Sequence, residues 1–132
     1  MPQQLTDQEI FDKVLVHLRE QGKRATLEKA GCAYRGDKGA MCAIGCLIPD
    51  HLYDPRIENR TIDSINIESG LDVFHDILFR AGLHGDAKRY LLLSHLQHAH
   101  DFALGHSLDV WELEMQRIAD QYSLTYTEFG YD

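Results

Sequence analysis

With 132 residues the chain can bury one hydrophobic core but not two sizeable ones, and its 44% hydrophobic and 26% charged residues are those of a globular protein rather than a disordered or membrane-spanning one. A formal charge of −8 at pH 7 argues against general binding to a nucleic-acid backbone. Three cysteines clustered between Cys32 and Cys46 do not make the even framework of a disulfide-stapled secreted domain, so reduced thiols are expected.

The opening Met1-Pro2-Gln3-Gln4 lacks the basic and then apolar layout of a signal peptide, and apolar runs such as Tyr90 to Leu93 are far shorter than a bilayer span. The expected location is the cytoplasm. Thr6-x-x-Glu9 reads as a capping box, in which each side chain satisfies an orphan backbone donor at the start of a helix. Ile10, Phe11, Val14, Leu15 and Leu18 follow as one apolar stripe, and Gly22 with Lys23-Arg24 suits the helix end.

From Gly31 to Cys46 glycines alternate with small and apolar residues, and Gly36-Asp37-Lys38-Gly39 reads as a turn. The spacing predicts a small β-hairpin, roughly 32–35 with 40–43. If Arg35 pairs with Ala40, Ala33 faces Cys42 and Cys32 lies on the opposite side of the ribbon. A short helical turn is expected before Pro49, and Asp54-Pro55 reads as the N-cap and first residue of another.

Leu71, Val73, Phe74, Ile77 and Leu78 have helical spacing before Gly82. A longer helix is expected from about Asp86 to near Gly105, with Tyr90, Leu91, Leu93, Leu96, Ala99, Ala103 and Leu104 facing inward. The last helix is expected to open around Asp109-x-x-Glu112 and to bury Trp111, Met115, Ile118 and Tyr122 along one stripe. Leu124 to Thr127 alternates like a short strand, or belongs to a loose tail over 124–132. The sum is a mainly α (α+β) fold, with about four to five helices around a small β-hairpin at residues 32–43, in one globular domain over 1–132.

Charge is unevenly spread. Residues 1–60 hold nine Lys or Arg and nine Asp or Glu, whereas 61–132 hold four and twelve, so the net acidity lies in the second half. Residues 13–38 run the other way, with Lys13, Arg19, Lys23, Arg24, Lys29, Arg35 and Lys38 against three acids.

Two residue sets have metal-ligand chemistry. Cys32, Cys42, Cys46 and His51 supply the ligand types of a Cys3His zinc site, against the plain reading of Cys42 and Cys46 as small buried hydrophobes. His75, then His100-Asp101, then Asp109 or Asp120 follow the ligand order of helical metal-dependent phosphohydrolases, against the plain reading of histidines on amphipathic helices. There is no Gly-x-Ser-x-Gly elbow, no phosphate-binding Gly-x-x-x-x-Gly-Lys loop and no dinucleotide-binding Gly-x-Gly-x-x-Gly after a strand. Backbone donors in the glycine-rich segment beside Arg35 and Lys38 suit an anion, such as a small nucleotide-like ligand.

The run from Cys32-Ala33-Tyr34-Arg35-Gly36 through Met41-Cys42-Ala43-Ile44-Gly45-Cys46-Leu47-Ile48-Pro49-Asp50, continuing to Tyr53-Asp54-Pro55 and Glu58, resembles a segment of small uncharacterised proteins of bacteriophages, prophages and bacteria. Leu96-Gln97-His98-Ala99-His100-Asp101, followed by Trp111, resembles the same group more loosely, so about half of the chain is covered. The resemblance implies a mobile-element context and carries over no functional residue.

Together these readings favour a non-enzymatic interaction protein, phage- or prophage-encoded, that binds and modulates a host protein in the host cytoplasm. Its partner would present a basic surface to the acidic C-terminal half, with Asp109, Glu112 and Glu114 as the contact residues. No cofactor, direct nucleic-acid contact or membrane is expected, and a homodimer is compatible with several short amphipathic helices. The alternative is a metal-binding module or a metal-dependent phosphohydrolase-like enzyme on the ligand sets above.

Overall fold

The computed structural model describes residues 4–22, 26–27, 31–32, 34–36, 40–58 and 73–127. Its first helix, α1 (Asp7–Gln21), is built as its sequence dictates. The Thr6 hydroxyl accepts from the Glu9 N–H at 3.1 Å, and the Glu9 carboxylate accepts from the Thr6 N–H at 3.0 Å. Gly22, at φ +69°, ends the helix by donating its N–H to the Leu18 carbonyl. All five stripe residues, Ile10, Phe11, Val14, Leu15 and Leu18, are buried.

The region expected to form a β-hairpin is different. A two-residue antiparallel pair joins β1 (Thr26–Leu27) to β2 (Gly31–Cys32). The ribbon expected over 32–43 is not formed: its arms meet at one isolated bridge, Arg35 with Met41. The bonds from Gly36 N–H to Ala40 O and from Cys42 N–H to Tyr34 O set a register one residue away from the expected Arg35–Ala40 pairing. Cys42 therefore lies opposite Tyr34 rather than Ala33. The ribbon stops there because Cys42 begins a tight coil, in which the Cys46 N–H returns to the Cys42 carbonyl at 3.0 Å.

Three 3-10 turns follow in quick succession, Gly45–Leu47, Asp50–Leu52 and Pro55–Ile57. The first and last are the turns expected before Pro49 and after Asp54. Gly45 is indispensable in the first, since a Cβ there would fall onto the Tyr34 carbonyl oxygen and lie 2.8 Å from its carbon.

Helix α2 (Val73–Arg80) ends in the turn at Ala81 and Gly82, as its spacing indicated. Helix α3 (Ala87–His98) is capped by Asp86, whose carboxylate accepts from the Arg89 N–H. It then widens into a π-helical stretch, Ala99–Ala103, where Leu104 N–H bonds to Ala99 O, before closing with Leu104–His106. Its inner face departs from the expected set. Leu91 is 55% exposed, while Arg89, Leu92 and His100 are buried. Arg89 can be inside because its guanidinium donates to Asp7 Oδ1 at 2.8 Å and to Leu5 O at 2.5 Å, tying the start of α1 to the start of α3.

Helix α4 (Leu108–Gln121) begins two residues earlier than expected, because Ser107 rather than Asp109 is its cap and accepts from Val110 N–H. Trp111, Met115, Ile118 and Tyr122 are buried as its period implied, inside one hydrophobic cluster shared with α1, the cysteine turn and α3. Residues 124–127 form no strand, but they are not loose. Thr125 exchanges two hydrogen bonds with the Gln8 side chain, and the Thr127 carbonyl accepts from Arg19. Residues 128–132 of the expected tail lie outside the described ones. No described helix is long and apolar enough to cross a membrane.

Candidate functional site

The coil at Cys42–Cys46 and the end of α3 meet in the fold. Gln97 on α3 spans them: its amide oxygen accepts from Ile44 N–H at 3.2 Å and its amide nitrogen donates to Asp101 Oδ1 at 3.0 Å. His100, fully buried, holds its Nδ1 2.8 Å from the same carboxylate oxygen. The π-helical stretch sets this geometry, because it places neighbouring residues His100 and Asp101 where their side chains join. Such bulges recur at functional sites.

The cysteines opposite this seam are chemically quiet. Cys42 is fully buried, and its sulfur accepts from Gly45 N–H at 3.2 Å. Burial drives its thiol well above the ordinary cysteine range, with the nearby Cys46 and Asp101 adding to the effect. Cys46 donates to the Ala43 carbonyl at 3.1 Å, and burial pushes its thiol up to about 12. Neither sulfur is a thiolate at neutral pH, so neither is poised as a nucleophile.

For the expected zinc set, His51 is exposed one turn beyond the cysteine coil, and the Cys32 side chain lies outside the described ones. For the expected phosphohydrolase set, His100 and Asp101 are brought together, Asp109 and Asp120 stand exposed on α4, and the His75 side chain lies outside the described ones. Among the described residues no three His, Cys, Asp or Glu side chains gather in a metal-sized group.

The anion-binding expectation at Arg35 and Lys38 takes an unexpected form. Lys38 lies outside the described residues. Arg35 is engaged within the chain, donating to Asp50 Oδ1 and to the Ile48 carbonyl at 2.6 Å each and lying 4.9 Å over the Tyr53 ring. The anion at this turn is the chain's own Glu58. Its Oε1 accepts from Tyr34 N–H at 3.0 Å, and its Oε2 accepts from Arg35 N–H at 3.1 Å and from the Tyr53 hydroxyl at 2.5 Å. Burial and this bond to Glu58 raise the Tyr53 phenol well above its ordinary range.

The acidic residues of α4 divide into engaged and free. Glu112 receives a bidentate ion pair from Arg19 at 2.6 and 2.8 Å and a hydrogen bond from the Tyr126 hydroxyl at 2.5 Å. Glu114 pairs with Arg117 on its own helix. Asp109 is exposed and its side chain makes no hydrogen bond or ion pair among the described residues, and Asp120, expected as a metal ligand but not as a contact residue, is its counterpart three turns on. Between them Leu113 is 66% exposed and Val110 is 43% exposed. The offsets 109, 113, 116, 120 put Asp109, Leu113, Gln116 and Asp120 on a single stripe of α4.

No protein-family model, curated protein or solved structure matches the chain.

The Glu112 pair gives the fold an acid-sensitive component. Burial raises the Glu112 carboxyl, but the bonds from Arg19 and Tyr126 outweigh it and hold the group below the ordinary value of 4.5. A carboxyl depressed in the fold stabilises fully above its unfolded value, and that stabilisation is lost as pH falls through the folded value. Urea denaturation of wild type and Glu112→Gln over pH 7 to 3 should show a stability difference that shrinks as the pH drops below about 4.5. A difference that stays constant across that range would assign the stability to packing and not to the ion pair.

Proposed function

We propose that the chain is a non-enzymatic interaction protein, of phage or prophage origin, that binds and modulates a host protein in the bacterial cytoplasm through the outward stripe of α4. The reading rests on one observation: a two-thirds exposed leucine, Leu113, stands beside Val110 on a helix face bounded by the unpaired carboxylates of Asp109 and Asp120. An apolar ridge rimmed by like charges suits a basic partner with a central hydrophobic notch, the carboxylates steering approach and the leucine supplying desolvated contact. Glu112 and Glu114, paired with Arg19 and Arg117, support this face without belonging to its free charge. The buried thiols of Cys42 and Cys46 and the fully buried His100 are consistent with a surface that acts by contact.

The test is a purified interaction. Host proteins recovered on the tagged chain are identified, purified and titrated against wild type and against Asp109→Lys/Leu113→Ser/Asp120→Lys, a variant changed only at exposed positions. A genuine partner should bind the variant at least about tenfold more weakly and should lose wild-type affinity as salt rises. Equal affinity for both proteins would remove α4 as the binding face.

A further inference from the structure

We propose that the turn at Tyr34 and Arg35 is a carboxylate receptor that the chain closes with its own Glu58, so that an outside carboxylate binds there when Glu58 withdraws. Consecutive backbone N–H groups aimed into one concavity make an anion nest. Here the two N–H groups address different oxygens, Tyr34 to Oε1 at 3.0 Å and Arg35 to Oε2 at 3.1 Å, which matches the planar fork of a carboxylate. The Tyr53 hydroxyl adds a third donor at 2.5 Å. Arg35 adds a positive charge, with its Nε buried and lacking an acceptor among the described residues.

The segments that carry these donors have anchors besides Glu58. The Tyr34 carbonyl is held by Cys42 N–H and Gly36 N–H by Ala40 O, while Arg35 is anchored to Asp50 and Ile48 and Tyr53 N–H to Pro49 O. The donors come from Tyr34, Arg35 and Tyr53, and the occupant is carried separately, directly after the 3-10 turn Pro55–Ile57. Glu58 is half-buried, so solvent reaches it where it sits. With Glu58 withdrawn, the two backbone donors and the phenol would turn to water or to another acceptor, and a carboxylate matches their spacing and charge better than water does. Capture of a carboxylate in a backbone nest is a recurring mode of ligand recognition. The site lies apart from the outward stripe of α4, and it stands whether or not that stripe binds a partner.

The experiment removes the internal occupant and supplies an external one. In Glu58→Ala, the Tyr34 and Arg35 amide signals should shift saturably with acetate, at a concentration at least about tenfold lower than any such response in wild type, because the tethered competitor is gone. Adding Tyr53→Phe to that variant should weaken acetate binding several-fold. A parallel titration with a glutamate-containing tripeptide blocked at both ends separates the sources: tighter binding than acetate assigns the ligand to a protein side chain, and weaker binding assigns it to a small free acid. No saturable shift, an equal shift with chloride at the same ionic strength, or equal responses in wild type and Glu58→Ala would overturn the proposal. If Glu58→Ala does not fold in chloride, recovery of its helical circular dichroism on adding acetate becomes the readout, and failure of acetate to restore it is the overturning result.

Discussion

Replacing Gly45 by alanine is expected to cost at least about 3 kcal/mol of folding stability, toward the upper end of what overpacking a rigid site produces. The new Cβ would meet the backbone oxygen and carbon of Tyr34 rather than the end of a movable side chain, so the neighbour cannot yield without the bridge at Arg35 and Met41 coming apart. The damage should spread, because Cys42 and Tyr34 are joined by a backbone bond and the Tyr34 N–H holds Glu58. Gly22→Ala is the informative contrast. Its backbone is left-handed at φ +69°, yet nothing lies within 4 Å of the added carbon, so about 1 kcal/mol is expected. Urea denaturation of both variants decides the matter; a Gly45→Ala protein as stable as Gly22→Ala would show that the cysteine turn can move off Tyr34.

Trp111→Ala should be of similar or greater size, about 3–5 kcal/mol, since a fully buried indole leaves a cavity that helices on several sides cannot close. The environment is unusual in one respect: the indole Nε1 is buried with no acceptor among the described residues. Trp111→Phe removes that unmatched donor together with part of the volume, so its loss should fall well below that of alanine. Equal losses for phenylalanine and alanine would mean that the nitrogen contributes through a bond and not only through ring volume. Thermal melts of the three proteins at matched pH provide the comparison.

What could be read from the sequence was whatever is decided within a turn or two. The Thr6–Glu9 box, the α1 stripe and the Gly22 stop are all set by partners no more than four residues apart, and each appears as expected. The departures come from partners far along the chain. Arg89 breaks the apolar period of α3 because its acceptors, Leu5 and Asp7, lie more than eighty residues earlier. Glu112 reads as surface acid until Arg19, 93 residues away, is placed beside it. The hairpin misses for a smaller reason: the link between Arg35 and Met41 is one residue longer than Gly36 to Gly39 suggested, and a shift of one changes which side chain every position faces. At the turn of Tyr34 and Arg35 the glycines and the cation suggested only a small outside anion beside Arg35 and Lys38. That its anion is Glu58, 24 residues from Tyr34, is a fact of folding alone.

The π-helical stretch at Ala99–Ala103 has a consequence for how the chain tolerates changes in length. A helix that closes one ring over five residues instead of four carries a spare position, so losing one residue there returns α3 to regular winding while the segments on either side keep their rotational phase. A deletion elsewhere in α3 would swing Leu92, Leu93 and Leu96 by about 100° relative to their neighbours. The bulge is thus a place in the helix where a one-residue deletion can be absorbed locally, and what it would disturb is the juxtaposition of His100 and Asp101 rather than the core.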